Sequence, residues 1–282
     1  MSSLHKWQPL IAAWLPLFTA EHPVLQRISE SGSVIFYGSL TQGWDDAFAD
    51  IDLWLLLPDE CMPRLDAFSR TRFFGFELDG RKGHITAHGL SEFREKIRCC
   101  CMDTIYQLRN GVVVADRSGV AADVRAEAAS PMPEAVRRAF FMHHYIEMRS
   151  EHRACDSPME RHDPVALLLS LPKVLAHALR AGMILDREPY PYDKWLCSAA
   201  RQTPTGQRLV PHVESILDLL GAGMLRFEGA EKEHPIGREL YALRRLLIDA
   251  ARAGGIDEPW LDQWWLFMDE DERQFGEVRW SG

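Results

Sequence analysis

Apolar positions follow two different rhythms along the chain. Up to about residue 116, short apolar runs alternate with polar loops; beyond Pro131 and Pro133 they recur at helical spacing. Residues 4–30 predict one or two helices, with Leu10, Ile11, Trp14, Leu15 and Leu17, then Val24, Leu25 and Ile28 as the apolar positions. Ser31-Gly32-Ser33 breaks that pattern. Val34–Tyr37 then reads as a short strand, Thr41–Phe48 as a loop or short helix, and Ile51–Leu57 as a second strand ended by Pro58-Asp59. Residues 60–71 read as helix. "RFFGFEL" and "GHITAHGL" read as a hairpin joined through Asp79–Gly83, residues 91–109 as one helix, and "GVVVADRSG" as a strand and turn.

The second half predicts helices over 133–152, 163–183, 191–201, 207–221, 233–254 and 258–275. Val165, Leu168, Leu169, Leu171, Val174, Leu175 and Ala178 make a broad apolar stripe. The expected fold is α+β: a mixed sheet with flanking helices in a domain of residues 1–130, then an all-helical domain of residues 131–282. No internal repeat or low-complexity segment is visible.

Composition adds exclusions. The chain has 282 residues, 46% hydrophobic, which suits two domains of ordinary size. A net charge of −9 and a pI of about 5.7 disfavour extended nucleic-acid contacts, although a local basic cluster can still hold one triphosphate. No signal peptide and no apolar run near the roughly 20 residues of a membrane span is read, so a cytoplasmic protein without a membrane partner is expected. The cysteines (Cys61, Cys99, Cys100, Cys101, Cys155 and Cys197) form no CxxC pair. They are expected to be small buried apolar residues in a reducing compartment.

The chemistry concentrates in "VIFYGSLTQGWDDAFADIDLWLLL", Val34–Leu57. Side chains alternate along a strand, so Asp50 and Asp52 share one side. Two like charges that close need a cation between them or a proton on one. An oxygen-ligand pair suits Mg²⁺ with substrate phosphates as further ligands. Gly38 lets the backbone approach a ligand closely, and the Ser39 hydroxyl and nearby amides suit phosphate oxygens. The combination predicts a nucleoside-triphosphate site with metal-assisted transfer.

Gly38-Ser39, ten intervening residues and then Asp50-Ile51-Asp52, between the apolar flanks "VIFY" and "LWLLL", resembles the signature of the DNA-polymerase-β-like nucleotidyltransferase superfamily. "RNGVVVADRSG" (Arg109–Gly119) is similar to the closing strand and turn of that catalytic domain. Chain length and a helical second domain look most like the aminoglycoside and lincosamide antibiotic-inactivating members. The resemblance covers about residues 30–120 and is loose in the helical half. It implies an adenylyltransferase moving AMP from ATP, with Mg²⁺, to a hydroxyl of a small molecule such as such an antibiotic. Asp50 and Asp52 would hold metal, and Gly38 and Ser39 phosphates. The alternatives are a protein AMP-transferase of toxin–antitoxin type and a degenerate nucleotide-binding module without catalysis.

The chain departs from the family's pattern in one place. Many members carry a third carboxylate on a later strand, and the strand here, "GHITAHGL", offers His84, Thr86 and His88 but no acid. If register sets His84 opposite Asp52, a neutral imidazole can ligate metal or take a proton; Glu77 on the neighbouring strand is the other candidate. In the helical half, Lys194 in "EPYPYDKWL" is a candidate triphosphate cation. Glu147 and Glu151, one helical turn apart with His144 on the same face, are candidate bases. The tail "DEPWLDQWWLFMDEDERQFGEVRW" reads as a last helix packed by Trp264, Trp265, Leu266 and Phe267, or as the wall of a pocket for a cationic or sugar-like acceptor.

Overall fold

A computed structural model describes residues 3–21, 25–26, 31–44, 46–117, 119–223 and 234–269. The chain divides into two compact units between Pro131 and Met132.

The first unit is built on a five-stranded mixed sheet. Its strands are β1 (Ser33–Tyr37), β2 (Ile51–Leu57), β3 (Phe73–Leu78), β4 (Arg81–Gly89) and β5 (Val112–Asp116), in the order β3-β4-β2-β1-β5. β2 and β4 run parallel, and the other neighbours are antiparallel. Alternation decides which side chains meet. Ile51, Leu53, Leu55 and Leu57 join Val34, Phe36, Ile85 and Ala87 in one core with Trp7, Ile11 and Phe18 of α1 (Ser3–Ala20). The other face carries Ile35, Trp54 and Leu56 and ends in Asp52 and His84. Trp54 meets the ring of Phe93 edge-on at 4.8 Å. Phe93 belongs to α3 (Leu90–Arg98), which follows β4 directly, while α2 (Met62–Phe68) connects β2 toward β3. α4 (Met102–Asn110) and α5 (Val120–Ala129) pack beside β1 and β5.

Two local expectations are corrected. The hairpin turn is two residues, not five: Asp79 and Gly80 both take positive φ (52° and 75°), the conformation a tight hairpin turn requires, and β4 already begins at Arg81. The single helix expected over 91–109 is two. Cys100 takes φ 58°, and the amides of Cys100 and Cys101 bond back to the carbonyls of Ile97 and Lys96, closing α3 as a left-handed residue closes helices generally. Cys100 is buried in that turn, but Cys99 and Cys101 are exposed, so the triplet is a helix-ending turn and not a buried cluster.

The second unit is helical: α6 (Glu134–Glu160), α7 (Pro164–Leu185), α8 (Asp193–Ala200), α9 (Pro204–Gly221) and α10 (Pro235–Ala253). Three of these helices open on proline, whose missing N–H costs nothing there. Asp163, Thr203 and His234 each cap the following turn by accepting from a backbone N–H. The α7 stripe divides: Leu171, Val174 and Ala178 are buried, whereas Val165, Leu168 and Leu169 are exposed. By length and composition α7 is apolar enough to cross a membrane, and half of that window is buried in the unit. The helix expected over 258–275 is replaced, as far as residue 269, by 3₁₀ turns at Pro259–Leu261 and Trp264–Asp269.

His152 of α6 is 4% exposed, and burial together with Arg149 and Arg244 pushes its imidazole down to about 4. A depressed histidine favours the neutral form in the folded state, so its stabilising contribution is complete above pH 6.5 and is lost as pH falls toward 4. At about 1.4 kcal/mol per pH unit, that loss reaches roughly 3 kcal/mol. Urea midpoints should therefore fall between pH 6.5 and 4.5, and His152→Leu should flatten the decline; an unchanged slope in that variant refutes the assignment.

Candidate metal centre

Strand register builds this site. β1 places Tyr37 opposite Asp52, and the parallel pairing of β2 with β4 places His84 opposite Asp52 from the other side. Asp50 lies one residue before β2, two positions from Asp52, so it projects to the same side. One ligand atom from each of Asp50, Asp52 and His84 lies within 4.8 Å of the other two. His84 Nε2 is 3.2 Å from Asp52 Oδ1, and Nδ1 is 4.0 Å from Asp50 Oδ2.

Exposure grades across the cluster. The Asp52 side chain is 13% exposed, His84 23% and Asp50 49%. Burial lowers the His84 pKa, opposed by the Asp50 charge. The imidazole is therefore neutral near pH 7 and offers a lone pair. Two carboxylates whose oxygens lie within 4.8 Å of each other repel by roughly 3 kcal/mol or more at an effective dielectric of 20, less where water reaches Asp50. A divalent cation held between them turns that repulsion into attraction.

Gly38 fixes the rear of the site. Its backbone lies at φ 87°, ψ −161°, a region only glycine occupies readily. A Cβ there would stand 2.3 Å from Asp52 Oδ2. After Gly38, residues Ser39–Thr41 form a 3₁₀ turn, and the Thr41 hydroxyl donates to the Gly38 carbonyl at 2.8 Å. Ser39 is buried, with its carbonyl accepting from the amides of Gln42 and Trp44.

Two contributors carry no motif. Arg81 donates from Nη1 to the carbonyls of Asp46 and Ala49, at 2.9 and 2.7 Å, tying down the loop just before Asp50. The Phe73 ring stacks on His84 with centroids 4.8 Å apart, setting the imidazole plane. No spacing rule marks either one. Only the hairpin register, with Phe73 opposite Thr86 and Gly75 opposite His84, explains why Phe73 reaches the imidazole. Glu77 is exposed, pairs with Lys82 in the ladder and stands outside the ligand group.

The remaining candidates lie in the second unit. Lys194 sits in the first turn of α8 with Nζ 4.8 Å from the Trp195 ring centre, while neighbouring Asp193 pairs with Arg180. Glu151 accepts from Lys173 at 3.0 Å. Glu147 acts electrostatically on His143 and His177. His144, expected on the same face as the two glutamates, is buried and bonded to His177 and Tyr190.

Residues 98–196 match the protein-family profile described as a domain of unknown function, DUF4037. A search of curated proteins finds no match. Among solved structures, the chain is similar to a nucleotidyltransferase-like protein from Exiguobacterium sibiricum 255-15. Identity is 14% and the TM-score 0.47, over 95% of this chain and 81% of that one. At that distance the likeness decides neither chemistry nor substrate.

Gly38→Ala tests the geometry directly. The added methyl meets both an unfavourable backbone region and the Asp52 carboxylate, so a loss of about 1–3 kcal/mol in urea unfolding is expected. The folded variant should also bind Mn²⁺ more weakly by calorimetry. Wild-type stability together with wild-type Mn²⁺ affinity would show that Gly38 does not shape the site.

Proposed function

We propose that the chain is a metal-dependent nucleotidyltransferase that moves a nucleoside monophosphate, AMP from ATP in the first instance, to a hydroxyl of a small molecule. The observation that carries this reading is the Asp50–Asp52–His84 cluster, set against a glycine turn where a Cβ would stand 2.3 Å from the Asp52 carboxylate. Phosphoryl chemistry needs little from the protein beyond positioning and neutralisation of charge. A carboxylate pair, a neutral imidazole and a close backbone turn are suited to both.

The donor set fits a divalent cation. Asp50 and Asp52 would hold it, with His84 in the place of a third carboxylate. Bound there, the cation would offset charge on the triphosphate during transfer. An imidazole nitrogen makes the set softer than three oxygens, which favours Mn²⁺ over Mg²⁺ as the preferred ion. The rest of the chemistry falls to the chain's own groups. Gly38 and Ser39 would lie against the phosphates, Lys194 would neutralise triphosphate charge, and Glu147 or Glu151 would take the acceptor proton. Glu151 is already engaged by Lys173, which favours Glu147 as the base of the two.

The test is pyrophosphate release from ATP across a panel of hydroxyl acceptors, with Mn²⁺ or Mg²⁺. Asp50→Asn with Asp52→Asn should lower turnover at least about a hundredfold, the equivalent of roughly 3 kcal/mol of lost charge stabilisation. His84→Asp should retain activity and shift the preference from Mn²⁺ toward Mg²⁺. Unchanged turnover in the double variant overturns the metal-site reading. An AMP adduct found only on protein would reassign the acceptor.

A further inference from the structure

Arginines and tryptophans converge in the second unit at a place no sequence motif marks. α6 supplies Arg149, His152, Arg153 and Asp156 at positions i, i+3, i+4 and i+7, one face of the helix. α10 adds Tyr241 and Arg244, and the 3₁₀ turn at Trp264–Asp269 adds Trp264 and Trp265. Together they line a cleft of about 250 Å³.

Nε of Arg149, Nε of Arg244 and Nε2 of His152 are buried without a hydrogen-bond partner among the described residues. The charge of the lining points to the kind of occupant. Among the described lining residues, three guanidinium groups face one carboxylate, and His152, with its pKa pushed down, adds no charge at neutral pH. The surplus of two positive charges suits a dianion. The tail, read as the wall of a pocket through its carboxylates and stacking, contributes Trp264 and Trp265 to this cleft, and its acidic run after Asp269 lies outside the described residues.

We propose that this cleft binds a phosphomonoester carried on a small planar ring, with the phosphoryl group on Arg149, Arg153 and Arg244 and the ring against the indoles of Trp264 and Trp265. A phosphomonoester carries close to two negative charges at neutral pH, where a carboxylate carries one. Planar guanidinium groups match phosphoryl oxygens in geometry as well as charge. The aromatic wall, completed by Tyr241 edge-on to His152 at 5.0 Å, offers flat apolar area to a ring. The volume lies below the usual range for drug-sized ligands, which limits the occupant to about one ring and one phosphoryl group. This site is distinct from the Asp50–Asp52–His84 cluster and does not depend on the reading of that cluster.

Calorimetry on the full chain, in EDTA so that no divalent ion contributes, compares phenyl phosphate, inorganic phosphate and benzoate. Phenyl phosphate should bind at least tenfold tighter than either of the others. Arg153→Gln, at an exposed arginine that leaves the fold undisturbed, should weaken phenyl phosphate at least fivefold. Trp265→Ala should weaken phenyl phosphate and leave inorganic phosphate within twofold. Asp52→Asn should change none of these affinities. Equal affinity for the three probes, no heat from phenyl phosphate at millimolar concentration, or wild-type binding in both Arg153→Gln and Trp265→Ala overturns the proposal.

Discussion

The parallel pairing of β2 with β4 is the constraint on which the rest of the first unit depends. It sets Asp52 opposite His84, and the alternation that follows sends Ile51, Leu53, Leu55 and Leu57 to the opposite face. A slip of one residue would bury the aspartate among leucines and expose the core. The hydrophobic face therefore holds the register, and the register holds the polar site. Neither stands without the other, which is how a carboxylate and an imidazole persist 3.2 Å apart at the end of a strand whose remaining residues are buried.

Much of this was legible in the sequence, and for a physical reason. Strands alternate strictly, so Asp50-Ile51-Asp52 alone fixes two carboxylates on one side, and Gly38 before them announces a backbone that approaches something closely. What the glycine approaches proved to be Asp52 itself. The place of His84 was a conditional reading that only the register decides. Phe73 was invisible because its role arises from pairing across a hairpin whose turn is Asp79-Gly80, not the longer Gly-containing stretch, and Arg81 because the carbonyls it holds, of Asp46 and Ala49, lie over 30 residues away in the chain. The break at Cys100 was missed because a cysteine in the left-handed region violates the usual preference for glycine there.

The helical unit followed its periodicity more faithfully than its chemistry. Proline openings and capping side chains gave its helices their starts. The tail was read from its own composition, acidic and aromatic, and its partners were not. Arg149 and Arg153 of α6 and Arg244 of α10, over 90 residues apart in the chain, surround Trp264 and Trp265 with positive charge. A charge pattern read along one segment cannot reveal the charge of the surface it meets.

The central claim is that sheet register presents Asp50, Asp52 and His84 to one divalent cation. Diffraction from crystals grown with Mn²⁺, recorded for its anomalous signal, tests it most directly. The account predicts a single strong peak with an oxygen of Asp50, an oxygen of Asp52 and a nitrogen of His84 all within coordinating distance, about 2.0–2.4 Å. Mn²⁺ absent from that cluster, with Asp52 still bonded to His84, would contradict it.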